Sequence, residues 1–165
     1  MVLTNKAKLR LAMSALAFGL IDLSGCVEQE PASSDSDLPD AIVYKTPTCG
    51  CCQKWVEHLQ DHGFAVQTRD TGQLTAIKDE YGLPGDMRSC HTAEIDGYVI
   101  EGHVPAADIK RLLRERPQAK GLAVPGMPLG SPGMEVDERR QAYTVWLLRA
   151  DNPEAFNNYP ARNLE

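Results

Sequence analysis

Apolar and polar residues follow distinct strand-like and helix-like patterns from residue 41 onward. A short apolar run at 41–46 predicts a strand, and the apolar positions in 50–62 recur at the spacing of one helix face. That face consists of Cys52, Trp55, Val56 and Leu59. Segment 64–69 alternates apolar and polar residues, which is typical of a strand, and segment 74–81 predicts a short helix that ends at Gly82.

A hairpin and another helix are predicted next. Asp96-Gly97 separates the apolar segments 92–95 and 98–101, and this dipeptide is the strongest short signal for a two-residue hairpin loop. Pro105 is a residue type favoured where a helix begins, and it precedes the predicted helix 106–116.

The order of the predicted elements indicates the fold class. A final strand is predicted at 143–149, after a loop rich in Gly, Pro and Met. The order β-α-β-α-β-β-α, followed by that loop and strand, is typical of a thioredoxin-like α/β fold. We therefore predict one such domain over 41–150. Segment 151–165 contains Pro and several Asn without a regular pattern, so we predict a loose C-terminal tail.

The first 25 residues have the features of a secretory signal peptide. Three basic residues precede the apolar run 11–21, which is too short to span a bilayer. Segment 23–26, Leu-Ser-Gly-Cys, resembles the bacterial lipobox, in which the cysteine is lipidated and becomes the first residue. We therefore expect a periplasmic protein anchored to a membrane through a lipid on Cys26. An ordinary signal peptide with an incidental cysteine is the alternative.

The charge of the chain limits its range of partners. The net charge of the whole sequence is −6, from 17 basic and 23 acidic residues. The predicted signal peptide contains three of the basic residues and one of the acidic residues, so the segment after it has a net charge of −8. Nucleic acid is therefore excluded as a partner, because phosphate binding needs a basic surface. Segment 26–40 is acidic, contains Pro and Ser and lacks apolar periodicity, so it predicts a flexible tether.

Four cysteines are the main candidates for chemistry. Cys49, Cys51 and Cys52 lie between the first predicted strand and the first helix, where the helix N-terminus favours thiolate. Cys90 lies in the loop before the third strand, and in a thioredoxin-like fold that loop is beside the same helix end. The fold therefore predicts that these four residues, which we call the cysteine cluster, meet at one place.

The spacing within the cysteine cluster leaves three kinds of chemistry open. Thiolates bind soft ions such as Cu(I), and also zinc. Cys51 and Cys52 point about 100° apart on a helix, which suits several bridged ions better than one tetrahedral zinc. Cys49 and Cys52 also have the C-x-x-C spacing of a redox pair. Two structural disulfides are the third alternative, since the predicted compartment is oxidising.

Several motifs in order resemble those of one family. They are residues 44–52, 55–59, 89–92, 101–105 and 121–128. Over about residues 41–149 the chain resembles the CopG-type copper-resistance proteins, long described as a domain of unknown function. The resemblance implies a thioredoxin-like fold, an envelope location and copper binding through Cys49, Cys51, Cys52 and Cys90.

Two methionines and two histidines are secondary candidates. Met127 and Met134 each end a Pro-Gly-Met sequence in a loop, where a thioether is a soft ligand or fills a gap in the core. His91 is expected to point away from Cys90 in an extended segment and to orient a ligand. His103 follows the hairpin and is a candidate ligand or hydrogen-bond partner.

A second pair of histidines lies outside the cysteine cluster. His58 and His62 have the i, i+4 spacing of a metal pair. They lie about 13–20 Å along the helix from Cys49, so they do not reach the cluster. Their position near the helix C-terminus predicts a solvated face.

The sequence thus favours a Cu(I)-binding protein of copper resistance or homeostasis. Copper, as a multinuclear site, would be held by the four thiolates, with redox activity left open. Expected partners are copper ions and other envelope copper-handling proteins, with the membrane contacted only through the lipid. The alternative is an enzyme, an envelope thiol–disulfide oxidoreductase that uses Cys49 and Cys52, and a third is an interaction module with inert disulfides.

Overall fold

A computed structural model of the protein describes residues 38–163, in which seven strands form one mixed sheet. The strands are β1 Ala41–Lys45, β2 Val66–Asp70, β3 Thr92–Ile95, β4 Tyr98–Glu101, β5 Gly121–Ala123, β6 Tyr143–Leu148 and β7 Glu154–Tyr159. The helices are α1 Gly50–Asp61, α2 Leu74–Glu80 and α3 Ala106–Glu115, with a 3₁₀ turn at Gly85–Met87. The predicted signal peptide, Cys26 and most of the predicted tether lie outside the described residues.

The sheet has the strand order β2-β1-β3-β4-β5-β6-β7. Strands β1 and β2 are parallel, and helix α1 supplies the crossover connection that such a pair needs, whereas β3 is antiparallel to β1. The hairpin β3–β4 has the predicted register, with Asp96 and Gly97 both at positive φ. The first four strands and three helices confirm the predicted thioredoxin-like arrangement. Among the described residues, no helix combines the length and apolarity needed to span a membrane.

The apolar face predicted for α1 is the face that enters the core. Cys52, Trp55, Val56 and Leu59 are all buried. Trp55, Val56 and Leu59 belong to the main core cluster, together with residues of the sheet and of α3. A smaller cluster contains Leu83 and Val99, and Tyr81 and Met87 pack against it. Trp55 also donates from Nε1 to the carbonyl oxygen of Val104 at 2.9 Å, so its only polar atom is paired.

The C-terminal segment is a strand, so the prediction of a loose tail over 151–165 is wrong for Glu154–Tyr159. This segment, β7, pairs with β6 in antiparallel register. Asp108 on α3 accepts hydrogen bonds from Asn157 Nδ2 at 2.8 Å and from the Tyr159 hydroxyl at 2.7 Å. These contacts join residues about 50 positions apart, and no local sequence pattern reveals them.

A histidine of α1 caps helix α3. The N-cap residue of α3, Pro105, has no side-chain hydrogen bond, and the Ala106 N–H donates instead to His58 Nε2 at 3.1 Å. His58 was predicted on a solvated face, but it turns towards α3 and is partly buried, whereas His62 is exposed. The cap requires a neutral imidazole whose Nε2 is free to accept.

Acidification from pH 7 to pH 4 is expected to lower the free energy of unfolding through His58. Burial and the neighbouring His62 lower the pKa of His58 from 6.5 to about 4, against the opposing effects of Glu135 and Asp61. Between those values the unfolded chain binds the proton more tightly, so stability falls as the pH drops from about 6.5 to about 4. Because His58 is only partly buried, solvent screening limits the loss to about 1–2 kcal/mol.

The measurement is urea unfolding at pH 7, 5.5 and 4.5. His58→Gln keeps a side-chain acceptor and removes the titrating group, so it is the matched control. The unmodified chain should lose more stability over this range than the variant. Equal pH dependence in the two proteins would contradict the cap.

Candidate metal centre

The first turn of α1 holds three members of the cysteine cluster. Cys49 is the N-cap residue, with φ −78° and ψ 94°, and its Sγ accepts from the Cys52 N–H at 3.3 Å. Cys49 is partly exposed, whereas Cys52 is fully buried on the core face of the helix. The two are joined by a disulfide, with their Cα atoms 5.3 Å apart. In the reduced chain, the same helix end would stabilise a thiolate at Cys49.

Cys51 and Cys90 are the two free cysteines among the described residues. The Sγ of Cys51 lies 3.5 Å from that of Cys49 and 3.9 Å from that of Cys90. The Sγ of Cys52 lies 3.7 Å from the carbonyl oxygen of Cys90. All four sulfur atoms fall within 4.8 Å of one another, so the fold brings Cys90 to the helix end as predicted.

The Cys90 thiol is neutral at physiological pH. Burial, reinforced by the nearby Cys51, raises the pKa of Cys90 to about 12. A thiolate is the form that binds a metal, so binding of an ion at Cys90 would release a proton.

His103 presents an unprotonated ring nitrogen to the cysteine cluster. Its Nδ1 lies 2.8 Å from the carbonyl oxygen of Pro132, which can only accept, so Nδ1 carries the proton. Its Nε2 lies 3.1 Å from the Sγ of Cys90. The residue is fully buried, and this burial lowers its pKa. A neutral imidazole oriented by a carbonyl is the usual form of a histidine ligand.

His91 also faces Cys90, which differs from the prediction that its ring points away. The chain bends at Cys90 instead of running extended, and His91 Nδ1 lies 3.3 Å from the Cys90 sulfur. The ring packs against Trp55 and His103 at centroid distances of 4.4 and 4.9 Å. Burial and the nearby His103 and Lys78 hold its pKa well below the ordinary value, so it is neutral. Cys90, His91 and His103 thus form a second set of adjacent ligand atoms.

The two Pro-Gly-Met turns border the cysteine cluster on different sides. Gly126 donates from its N–H to the Arg88 carbonyl at 3.1 Å and accepts from the Ser89 hydroxyl, which places the first turn beside Cys90. Met127 in that turn is 52% exposed. Whether its thioether binds an ion stays a prediction.

The second turn closes over the start of α1. Gly133 has φ 82°, and a Cβ there would lie 2.7 Å from the Cys51 carbonyl oxygen and 2.9 Å from the Trp55 nitrogen. Only glycine permits this close approach at positive φ. Met134, which follows it, is partly buried, and its role as a ligand also stays a prediction.

The donor set fits soft-metal chemistry. Thiolate sulfur and neutral imidazole nitrogen are ligands that Cu(I) and Zn(II) accept. While the Cys49–Cys52 disulfide is present, only Cys51 and Cys90 can supply thiolates. A four-thiolate set therefore requires two-electron reduction of the disulfide. Sequence reasoning proposed the four cysteines and His103, but it missed the direction of the His91 ring.

Comparisons with known proteins agree with this geometry. Residues 87–134 match the family model described as Protein of unknown function, DUF411. Two solved structures, named Copper resistance protein copG Form 1 and Form 2, are each 45% identical in sequence, with TM-scores of 0.71 and 0.72. The matches cover 75% of this chain and 99% and 100% of those chains. No curated protein matches significantly.

Proposed function

Because this chain belongs to the CopG-type copper-resistance family, we propose that it is a periplasmic Cu(I)-binding protein that acts in copper tolerance. The supporting observation is the meeting of four cysteine sulfurs within 4.8 Å at one helix end. In the reduced chain Cys49, Cys51, Cys52 and Cys90 would be thiolate ligands.

The arrangement of donors favours several bridged copper ions. The four cysteine sulfurs and the His103 nitrogen together exceed the four ligand positions of one tetrahedral ion, so the site has donors for more than one ion. Cu(I) accepts low coordination numbers, and a thiolate can bridge two such ions. His103 Nε2, 3.1 Å from the Cys90 sulfur, supplies a nitrogen donor at the other side of that thiolate.

The exposure of the cysteine cluster supports exchange of copper with other molecules. Cys49, Cys51 and Cys90 are each partly exposed, while Cys52 is buried. Incoming or departing ligands can therefore reach three sulfurs without unfolding of the domain. This suits sequestration of copper ions and their transfer to other envelope copper-handling proteins.

The test is a Cu(I) titration of the reduced full-length chain, with absorbance and mass measured together. We use Cys26→Ser as the common background, so that this residue adds no sulfur ligand. More than one Cu(I) per chain is expected, and Cys90→Ser should lower the number by at least about one, because it removes the thiolate between Cys51 and His103.

An exposed substitution in the same loop, Thr48→Ala, should leave the copper count unchanged. Absence of copper uptake would overturn the proposed function. An unchanged count in Cys90→Ser would remove Cys90 from the ligand set.

A second candidate function rests on the Cys49–Cys52 disulfide. A partly exposed cysteine at a helix N-cap, paired with a buried cysteine three residues later, is the arrangement of a thiol–disulfide oxidoreductase. The same residues would serve both functions in different redox states. Copper binding and disulfide chemistry would then compete for the same sulfurs.

We also propose that the protein is anchored in the envelope by a lipid on Cys26. The support is the lipobox-like sequence at 23–26 after a short apolar run. Cys26→Ser should move most of the protein from the membrane to the soluble fraction of lysed cells, as measured by immunoblotting. Persistent membrane association in the variant would contradict the anchor, and Cys90→Ser is the matched control that should stay with the membrane.

A further inference from the structure

A buried ion pair lies directly beside the segment that carries Cys90. Glu101, the last residue of β4, is fully buried, and Lys78 on α2 is 5% exposed. Lys78 Nζ lies 2.5 Å from Glu101 Oε1 and also donates to Thr92 Oγ1 at 2.8 Å. No feature of the local sequence pattern indicated this contact, which joins helix and sheet across 23 positions of the chain.

The Glu101 carboxylate accepts from three separate groups. Besides Lys78, the Ser89 N–H donates to Oε1 at 2.6 Å, and the Thr92 hydroxyl donates to Oε2 at 2.6 Å. Because both oxygens act as acceptors for these donors, the arrangement fits the ionised carboxylate. The donors therefore hold the side chain in one position.

Ser89 and Thr92 are the residues on either side of Cys90-His91. The β3–β4 pairing begins at Thr92↔Glu101, and the His91 carbonyl accepts from the Gly102 N–H at 3.1 Å. Ser89 and Cys90 lie outside this backbone pairing. The hydrogen bond from the Ser89 N–H to the Glu101 carboxylate therefore holds a part of the loop that the strand pairing does not hold.

The same carboxylate belongs to the segment that carries His103. Glu101 is two residues before His103, whose Nε2 faces the Cys90 sulfur at 3.1 Å. One buried side chain therefore connects the two chain segments that meet at this sulfur–nitrogen pair. Buried ion pairs seldom stabilise a fold more than apolar residues of equal volume do, so stability alone does not account for this one.

We propose that Glu101, held by Lys78, is a positioning residue that fixes Cys90 relative to His103 for binding of a common Cu(I) ion. This inference rests on the proposed copper-binding function, and it assigns Glu101 no contact with the ion. Its effect on copper passes through the position of the Cys90 segment.

The first experiment needs no copper. The reduced chain is treated with a small alkylating reagent, and the rate at each cysteine is followed by mass spectrometry of peptides. Glu101→Gln should raise the rate at Cys90 by at least about five-fold relative to Cys51, because the Cys90 segment opens more often. Thr92→Val should change it in the same direction by a smaller factor. Since this variant keeps both charges of the ion pair, its effect reports loosening and not a change in charge.

The matched control is Asp108→Asn. Asp108 is also a buried carboxylate with two side-chain donors, but its partners are Asn157 and Tyr159 on β7. This variant should lower thermal stability without changing the Cys90 alkylation rate. An equal rise in Asp108→Asn would attribute the effect to general destabilisation and would overturn the positioning role.

The second experiment measures Cu(I) affinity by competition with a chelator, together with X-ray absorption at the copper edge. Glu101→Gln should weaken the Cu(I) affinity by about 10- to 100-fold, which is the usual effect of removing a group that orients a metal ligand. It should also reduce the copper–nitrogen scattering. Thr92→Val provides this readout if Glu101→Gln fails to fold.

The two proposals fail in different ways. If the unmodified chain takes up no Cu(I), the proposed function is wrong, and the alkylation rates still decide whether Glu101 positions Cys90. If copper binds but both variants keep unmodified alkylation rates and affinity, the positioning role of Glu101 is wrong and copper binding stands.

Discussion

Reduction of the Cys49–Cys52 disulfide is expected to raise the number of Cu(I) ions bound per chain about two-fold or more. In the disulfide form only Cys51 and Cys90 are free among the described residues, with their sulfurs 3.9 Å apart. A disulfide sulfur is not a thiolate, and thiolates are the ligands that Cu(I) selects. Reduction therefore doubles the number of cysteines that can supply thiolates at this site, from two to four.

The measurement compares Cu(I) titrations of the two forms, each with its free thiols counted by alkylation and mass. The double variant Cys51→Ser/Cys90→Ser is the matched control, because its disulfide form has no free thiol in the described residues and should take up almost no Cu(I). Its reduced form should recover part of the uptake. Equal copper counts in the two redox forms of the unmodified chain would contradict a ligand set that includes Cys49 and Cys52.

The redox state is the part of the site that sequence alone left open. The spacing of Cys49 and Cys52 is the same whether they bind a metal or form a disulfide, so no pattern in the sequence separates the two. The presence of Cys51 between them favours metal, since a redox pair has no need of it. In the structure, the Cys51 sulfur lies 3.5 Å from the Cys49 sulfur while Cys49 is bonded to Cys52. The same arrangement of side chains therefore suits both metal binding and a disulfide.

The sequence predicted the elements whose patterns are local. Helix α1 has its apolar residues at one-face spacing, and the β3–β4 hairpin has Asp96-Gly97 at its turn, so both were predictable. The order of the strands and helices then placed Cys90 beside α1. This placement follows from the topology of the fold and not from the distance along the chain between Cys90 and the other cysteines. The position of Cys90 at the cysteine cluster followed correctly from the fold class.

The elements that sequence missed are held by distant contacts. Strand β5 has three residues, Gly121–Ala123, which is too short for a periodic pattern. Strand β7 contains two asparagines, a residue type depleted in strands, and it is held by β6 and by Asp108. Pairing and hydrogen bonding override weak local preference in such segments.

The orientation of His91 was missed for a similar reason. Alternation along an extended segment places neighbouring side chains on opposite sides. The bend at Cys90 removes that alternation, and the Glu101 carboxylate holds the two residues that flank Cys90-His91. Side-chain direction at this site therefore depends on a buried contact from another strand, and the local sequence contains no signal for it.

Cys49→Ser is expected to abolish any disulfide reductase activity of the chain. In this reaction the Cys49 thiolate attacks one sulfur of a substrate disulfide, whose S–S bond breaks as the first substrate thiol leaves with a proton. The Cys52 thiolate then attacks Cys49 Sγ and forms the Cys49–Cys52 disulfide, which releases the second substrate thiol. The chain loses two electrons, and a dithiol reductant in the assay returns them.

The exposed position of Cys49 and the buried position of Cys52 assign these two roles. Cys49 is partly exposed at the N-cap of α1, where the Cys52 N–H donates to its sulfur at 3.3 Å, so it is the thiol that a substrate can reach. Cys52 is fully buried and can resolve only a disulfide formed at Cys49. Cys52→Ser should therefore stop turnover and trap a mixed disulfide at Cys49, detectable as added mass.

The assay follows reduction of a model disulfide with dithiothreitol as the electron donor. Cys51→Ser is the matched control and should keep the rate within about two-fold, since it leaves both reacting sulfurs in place. Added Cu(I) should inhibit the unmodified chain, because the ion occupies the same thiolates. A rate in the unmodified chain no higher than that of Cys49→Ser would eliminate the oxidoreductase function, whereas loss of activity in Cys51→Ser would show that the reaction does not follow the Cys49–Cys52 route.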